Sequence, residues 1–288
     1  MLLRPLCFLL ASACALPALP PKAEPPTSFD RAFVRLYNFD FPGVHQILDE
    51  NTRADPAHPL NYSIRAGAYL FSELDRLRIL EIDFFMNDDK LVDRKKLKPD
   101  PAIREAFFKA IEETRRRATA RLAARADDRE ALFAMCMAAG LVTDYAAIIE
   151  RRRFGSFSLS RQTQFYARKL LALNPPYYDA YLAMGTVEYV VGSVPWIFRW
   201  LIRFDGVQGS KQKGIDNMQL VARHGRYYAP FARVLLSVIY LRENKPQEAE
   251  KLLAGLARDF PDNPLIRKEL NQVRDRLHIR AADGPRTR

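Results

Sequence analysis

The sequence has 288 residues, of which 48% are hydrophobic and 27% charged, with a formal net charge of +11. That apolar share supports a packed core and excludes a wholly disordered chain. The cationic excess attracts anionic surfaces, but it is scattered over short clusters (Arg94–Lys98, Arg115–Arg117, Arg151–Arg153) with no recognition motif, so nucleic acid is not an expected partner.

In chain order, residues 1–15 read as a secretory signal. Arg4 precedes an apolar run from Leu6 to Ala13, and Ala13 and Ala15 give the small-x-small spacing of a cleavage site. The run is too short to span a bilayer, which takes about 20 apolar residues. Acylation of Cys14 remains an alternative, although Ala11 stands where a large aliphatic residue is usual. Either route predicts export, to the periplasm if the source is a Gram-negative bacterium. Cleavage near Ala15 leaves Cys136 without a disulfide partner, and between Met135 and Met137 it reads as a small buried hydrophobe.

A Pro-rich linker over 16–28 leads to a predicted helical body over 29–280. Phe29–Tyr37 and Gly43–Arg53 form a helical pair closed by Asp55-Pro56. A helix opening at Pro59 carries Tyr62, Arg65, Ala66 and Tyr69 on one face, with a repeat core over 59–72. Glu73, Asp75, Glu81 and Asp83 read as a solvated acidic face. The polar stretch Asn87–Asp100 reads as a loop. Pro101–Arg125 has helical spacing, and 129–140 repeats the earlier face with Leu132, Met135, Cys136 and Ala139. Val142–Ser160 contains a short helix whose place in the pattern the sequence does not assign. A unit over 178–225 carries an insert over 193–208, and another unit follows over 230–263. Leu265–Ile279 reads as an amphipathic capping helix and 281–288 as a tail.

The 34-residue run from Pro230 places Leu236, Ser237, Tyr240, Ala249, Leu253 and Pro261 in a familiar order. It resembles a tetratricopeptide (TPR) repeat. The resemblance implies an all-α, right-handed α-α superhelix of about five such units, a TPR-like solenoid with a C-terminal capping helix. The spacing also makes physical sense, because Ala249 lets two helix backbones approach and Pro261 ends a helix. A second, weaker resemblance covers 192–242. Val194-Pro195-Trp196, Phe204-Asp205-Gly206 and Gly214-Ile215 are similar to a eukaryotic TPR family of the mitochondrial outer membrane and lipid droplets.

The TPR frame implies a groove lined by first-helix residues, here Phe33, Leu36, Phe133, Met137, Leu182, Tyr189, Val238 and Leu241. That surface is too apolar to be left in water. The insert adds Trp196, Trp200 and Phe204 to one apolar stripe, with Arg199 and Arg203 along its edge. Three occupants stay open at this stage: the insert folding back as a plug, an apolar ligand, or a membrane interface met by the insert. No zinc-ligand spacing, phosphate-binding loop or nucleophile elbow occurs, so no metal, cofactor or catalytic residue is expected. The expected function is protein–protein interaction or scaffolding at the cell envelope with an unknown protein partner. The alternative is binding of lipid or an anionic membrane surface through 194–204.

Overall fold

A computed structural model describes residues 25–82, 98–150, 155–194 and 209–282. Every regular element among them is helical. Eleven α-helices follow in sequence, each packed on the next: α1 (Ser28–Tyr37), α2 (Phe41–Ala54), α3 (Pro59–Arg76), α4 (Pro101–Ala124), α5 (Arg129–Asp144), α6 (Gly155–Leu171), α7 (Tyr181–Ser193), α8 (Lys211–His224), α9 (Ala229–Arg242), α10 (Pro246–Asp259) and α11 (Pro264–Ala282). A π turn over Tyr145–Ile149 extends α5, and a 3-10 turn over Tyr178–Ala180 precedes α7.

The helix starts follow local chemistry. Thr27 and Asp30 form a reciprocal capping box on α1. The carboxylates of Asp40, Asp100 and Asp128 accept the first free N–H groups of α2, α4 and α5, while Ser210 and Asn263 do the same for α8 and α11. Prolines stand in the first turn of α2, α3, α4, α9 and α10, where no hydrogen bond is lost. Three helix ends close with a residue in the left-handed region: Phe39 (φ 62), Arg78 (φ 54) and Asn244 (φ 58). At each the next N–H reaches back to the helix, as Asp40 N–H does to Arg35 O at 3.0 Å.

The core centres on α5, whose residues Ala131–Ala139 are all buried. By length and composition the stretch Arg129–Ile149 could cross a membrane, but 67% of that window is covered by other helices. A helix apolar all round is what the centre of a helical body requires. Elsewhere small residues let backbones touch. A Cβ on Gly185 of α7 would lie 2.9 Å from Gly214 O of α8, so only glycine fits that crossing.

Several sequence expectations shift. The helix that follows the Arg151–Arg153 cluster in sequence is α6, a full partner of α5, with the Cys136 thiol against Thr163 O of α6 at 3.6 Å. The apolar periodicity of 155–171 is weak because its buried positions mix polar Ser160 and Gln164 with Ala167 and Leu170. Glu73 is not on a solvated face. Its side chain is buried, its two oxygens receive the Arg76 guanidinium at 2.7 Å, and Asp100 N–H donates to it at 2.7 Å. It therefore pins the start of α4 to the end of α3. The residues of the expected loop from 87 to 97, the signal segment, the insert from 195 to 208 and the tail from 283 lie outside the described residues.

The chain also returns on itself. Tyr37 O accepts from Asn263 Nδ2 at 2.7 Å, and Asn38 Oδ1 accepts from Asp262 N–H at 3.1 Å. Ile82 packs among Leu253, Leu256, Phe260, Ile266, Leu270 and Val273, while Lys268 pairs with Glu81 at 2.8 Å. The first helical pair thereby sits against the last.

Candidate functional site

Two expected groove residues, Phe33 of α1 and Phe133 of α5, meet in one aromatic seam through Tyr227 and Tyr228. Phe29, Phe33 and Tyr37 of α1 are spaced by four residues and so share a face of the helix. Each meets an aromatic ring of a different later element: Phe29 with His58 (centroids 4.7 Å), Phe33 with Tyr227 (4.6 Å) and Tyr37 with Phe260 (5.3 Å). From the other side Phe133 stacks on Tyr177 at 4.9 Å and on Tyr227 at 5.4 Å, with Tyr228 at 5.3 Å. Offset and tilted pairs at these distances add about 0.5–1.5 kcal/mol each beyond their area.

Polar contacts fix the register of this seam. Arg226 forks onto both oxygens of Asp30 at 3.0 and 2.9 Å, and its guanidinium also lies over the Tyr227 ring. Tyr37 donates its hydroxyl proton to Tyr227 O at 2.8 Å. Beneath them Asp179, 2% exposed, accepts the N–H groups of Arg226 (2.9 Å), Tyr227 (2.9 Å) and Tyr228 (2.6 Å). Three converging N–H groups make an anion cradle, and this one is filled by the protein's own carboxylate. A second network lies beside Phe29. His58 Nδ1 accepts Leu60 N–H at 3.3 Å, which leaves Nε2–H to meet Glu130 at 3.0 Å, and Arg121 bridges Glu130 and Asp128.

The titrating groups follow their surroundings. Burial pushes the Tyr227 phenol and the Cys136 thiol up to about 12, and it raises Tyr37, Tyr177 and Tyr228 as well. All five stay neutral at pH 7. Burial also raises Asp179 above the ordinary carboxylate range, opposed by its three N–H donors. Burial acts upward on Asp30 too, but there Arg226 and Thr27 outweigh it and hold the carboxyl below its usual range. The seam thus has the means to hold rings and one charge in register.

The remaining expected groove residues do not join the seam. Leu36 and Met137 are buried in the same core, with the Met137 methyl against Gly67. Leu182 is buried with Val221 and Ala232, and Tyr189 packs with Ile215 and Met218 while donating to Glu243 at 3.2 Å. Val238 and Leu241 are half-buried against the C-terminal cluster. Trp196, Trp200 and Phe204 lie outside the described residues, so the expected plug is not placed. Phe133 is covered by Tyr177, Tyr227 and Tyr228, and Phe33 of α1 meets the same Tyr227 and Tyr228 rings.

Reading first-helix positions alone missed Tyr177, Asp179, Arg226, Tyr227, Tyr228 and Phe260. All six stand in or beside inter-helix turns. A signal was present: Tyr177-Tyr178-Asp179-Ala180 and Tyr227-Tyr228-Ala229 repeat a paired tyrosine before a helix. Among the described residues no three His, Cys, Asp or Glu side chains converge as metal ligands would. A scan against protein-family models finds no match, and no curated protein is significantly similar to the chain.

Proposed function

We propose that this chain is an exported interaction protein built as a TPR-like, right-handed α-α superhelix capped by α11. It binds a protein partner at the cell envelope and carries no catalysis of its own. The observation that supports binding on outward faces is the burial of Phe33 and Phe133 (3% and 0% exposed) under the chain's own rings. Aromatic side chains already occupy that part of the expected groove, which argues against an acyl chain there. Large apolar side chains do remain outside: Val34, Phe165 and Val190 are 51%, 52% and 45% exposed. Full burial of such a side chain is worth about 1.5–3 kcal/mol, enough to anchor a contact.

The second reading is docking on an anionic membrane or lipid through 194–204. It is supported by the net charge of +11 and by two Trp residues that both fall in that stretch. Photo-crosslinkers placed at Val34, Phe165 and Val190 in producing cells test the choice. Recovery of one stoichiometric protein adduct supports the proposal. Adducts of phospholipid alone, with tryptophan emission that shifts blue on anionic vesicles, would replace it with the membrane reading.

A further inference from the structure

α1 packs on its neighbour α2, and it also reaches residues about two hundred positions later, which is unusual for a first helix. Asp30 pairs with Arg226, Phe33 stacks on Tyr227, Tyr37 meets Phe260, and Asn263 binds Tyr37 O. The tether from α1 into α2 is only Asn38-Phe39-Asp40, and Phe39 sits at φ 62, a region that a bulky side chain strongly disfavours. A short tether under backbone strain, next to a helix docked on a distant surface, is the arrangement that invites exchange between copies.

We propose that the seam takes α1 from a second copy of this chain, giving a two-fold dimer in which each α1 crosses to its partner. The second copy is the occupant because its α1 carries the same ring spacing and the same carboxylate for Arg226. Every contact of α1 is recreated across the interface. The residue that relaxes is Phe39, which leaves the left-handed region when the turn opens. The partner of this binding surface is thus a copy of the chain, a step that rests on the interaction reading above. The crosslinks from Val34, Phe165 and Val190 are read separately, so the two can fail independently.

The charge pair gives the test. Full-length chains carrying Asp30→Arg or Arg226→Asp each place like charges in their own seam. Mixed together, only exchanged heterodimers satisfy both sites: Arg at 30 meets Asp at 226, and the native pair forms at the other. Differently tagged variants are mixed, incubated and passed over both affinity resins in succession, with mass read by light scattering. The expected result is heterodimer at no less than about tenfold the dimer level of either variant alone. The chain with both substitutions should run as the wild type does. Wild-type chains with two fluorophores should also exchange into mixed dimers on prolonged incubation. Two variants that stay monomeric after mixing would overturn the proposal. If either variant fails to fold alone, the wild-type exchange decides, and absence of mixed dimers there overturns it as well.

Discussion

Replacing Asp179 by asparagine removes one negative charge and changes almost no volume. Its Oδ1 accepts Tyr227 and Tyr228 N–H, and its Oδ2 accepts Arg226 N–H. An amide can keep the first two but must turn its own NH2 toward Arg226 N–H at 2.9 Å, a donor facing a donor. Hydrogen bonds to a charged group are worth about 1.5–3 kcal/mol net, and a buried donor left without a partner costs about 1–3 kcal/mol. Together these give a loss of about 2–4 kcal/mol, with the two remaining bonds weakened as well. At ~2–4 °C per kcal/mol for a chain of this size class, the melting temperature falls by roughly 4–16 °C. Urea unfolding followed by far-UV circular dichroism reads the change, with Asp127→Asn on the exposed α4–α5 turn as the control. Asp127 is 73% exposed, so its variant should stay within about 0.5 kcal/mol of wild type. A change that small in Asp179→Asn would refute the reasoning, because the cradle would then hold the turn without its charge.

Other outcomes follow from the same geometry. Phe33→Ala removes a side chain 3% exposed between Tyr227 and Tyr228 and should cost about 3–5 kcal/mol in urea unfolding. In a chain with Cys7→Ser and Cys14→Ser, the Cys136 thiol should resist Ellman's reagent until urea unfolds the protein, because burial holds it up at about 12. Acid should weaken the fold through Glu130 and Asp128. The hydrogen bond from His58 lowers the Glu130 carboxyl, and at Asp128 the upward effect of burial is outweighed by Ala131 N–H and Arg121. Both folded values lie below the unfolded ones. Their stabilisation is therefore complete above the ordinary carboxylate range, near 4, and is lost as pH falls through the folded values. The urea midpoint should drop between about pH 5 and pH 2, and less steeply in Arg121→Gln, where Asp128 lies closer to its unfolded value. Equal slopes in the two proteins would contradict that assignment.

How far the sequence led depends on the kind of residue. The helices were legible because Asp, Ser and Asn before apolar periodicity, and Pro after short polar turns, are local signals that survive into the structure. The helical pair over 29–53 and the segments opening at 59, 101, 129 and 230 are cases of this. The helix α6 was not legible, since its buried positions mix polar Ser160 and Gln164 with Ala167 and Leu170, which blurs the apolar period. Glu73 looked solvated because its partner Arg76 and the Asp100 N–H converge on it only once α3 and α4 are packed. The seam was half visible. Phe33 and Phe133 follow from helix positions, but Tyr177, Tyr227 and Phe260 lie in turns, where helical periodicity says nothing. Closure by α1 joins residues nearly two hundred apart, and no local pattern encodes that.

The measurement closest to the central claim is amide hydrogen exchange on the full-length chain, resolved by peptide. If α1 fills the seam, the amides of Val34–Tyr37 and of Arg226–Tyr228 exchange slowly and as one unit, with protection approaching that of α5. Exchange of α1 within seconds, while α5 stays protected, would contradict the account and leave Tyr227 and Tyr228 open to another occupant.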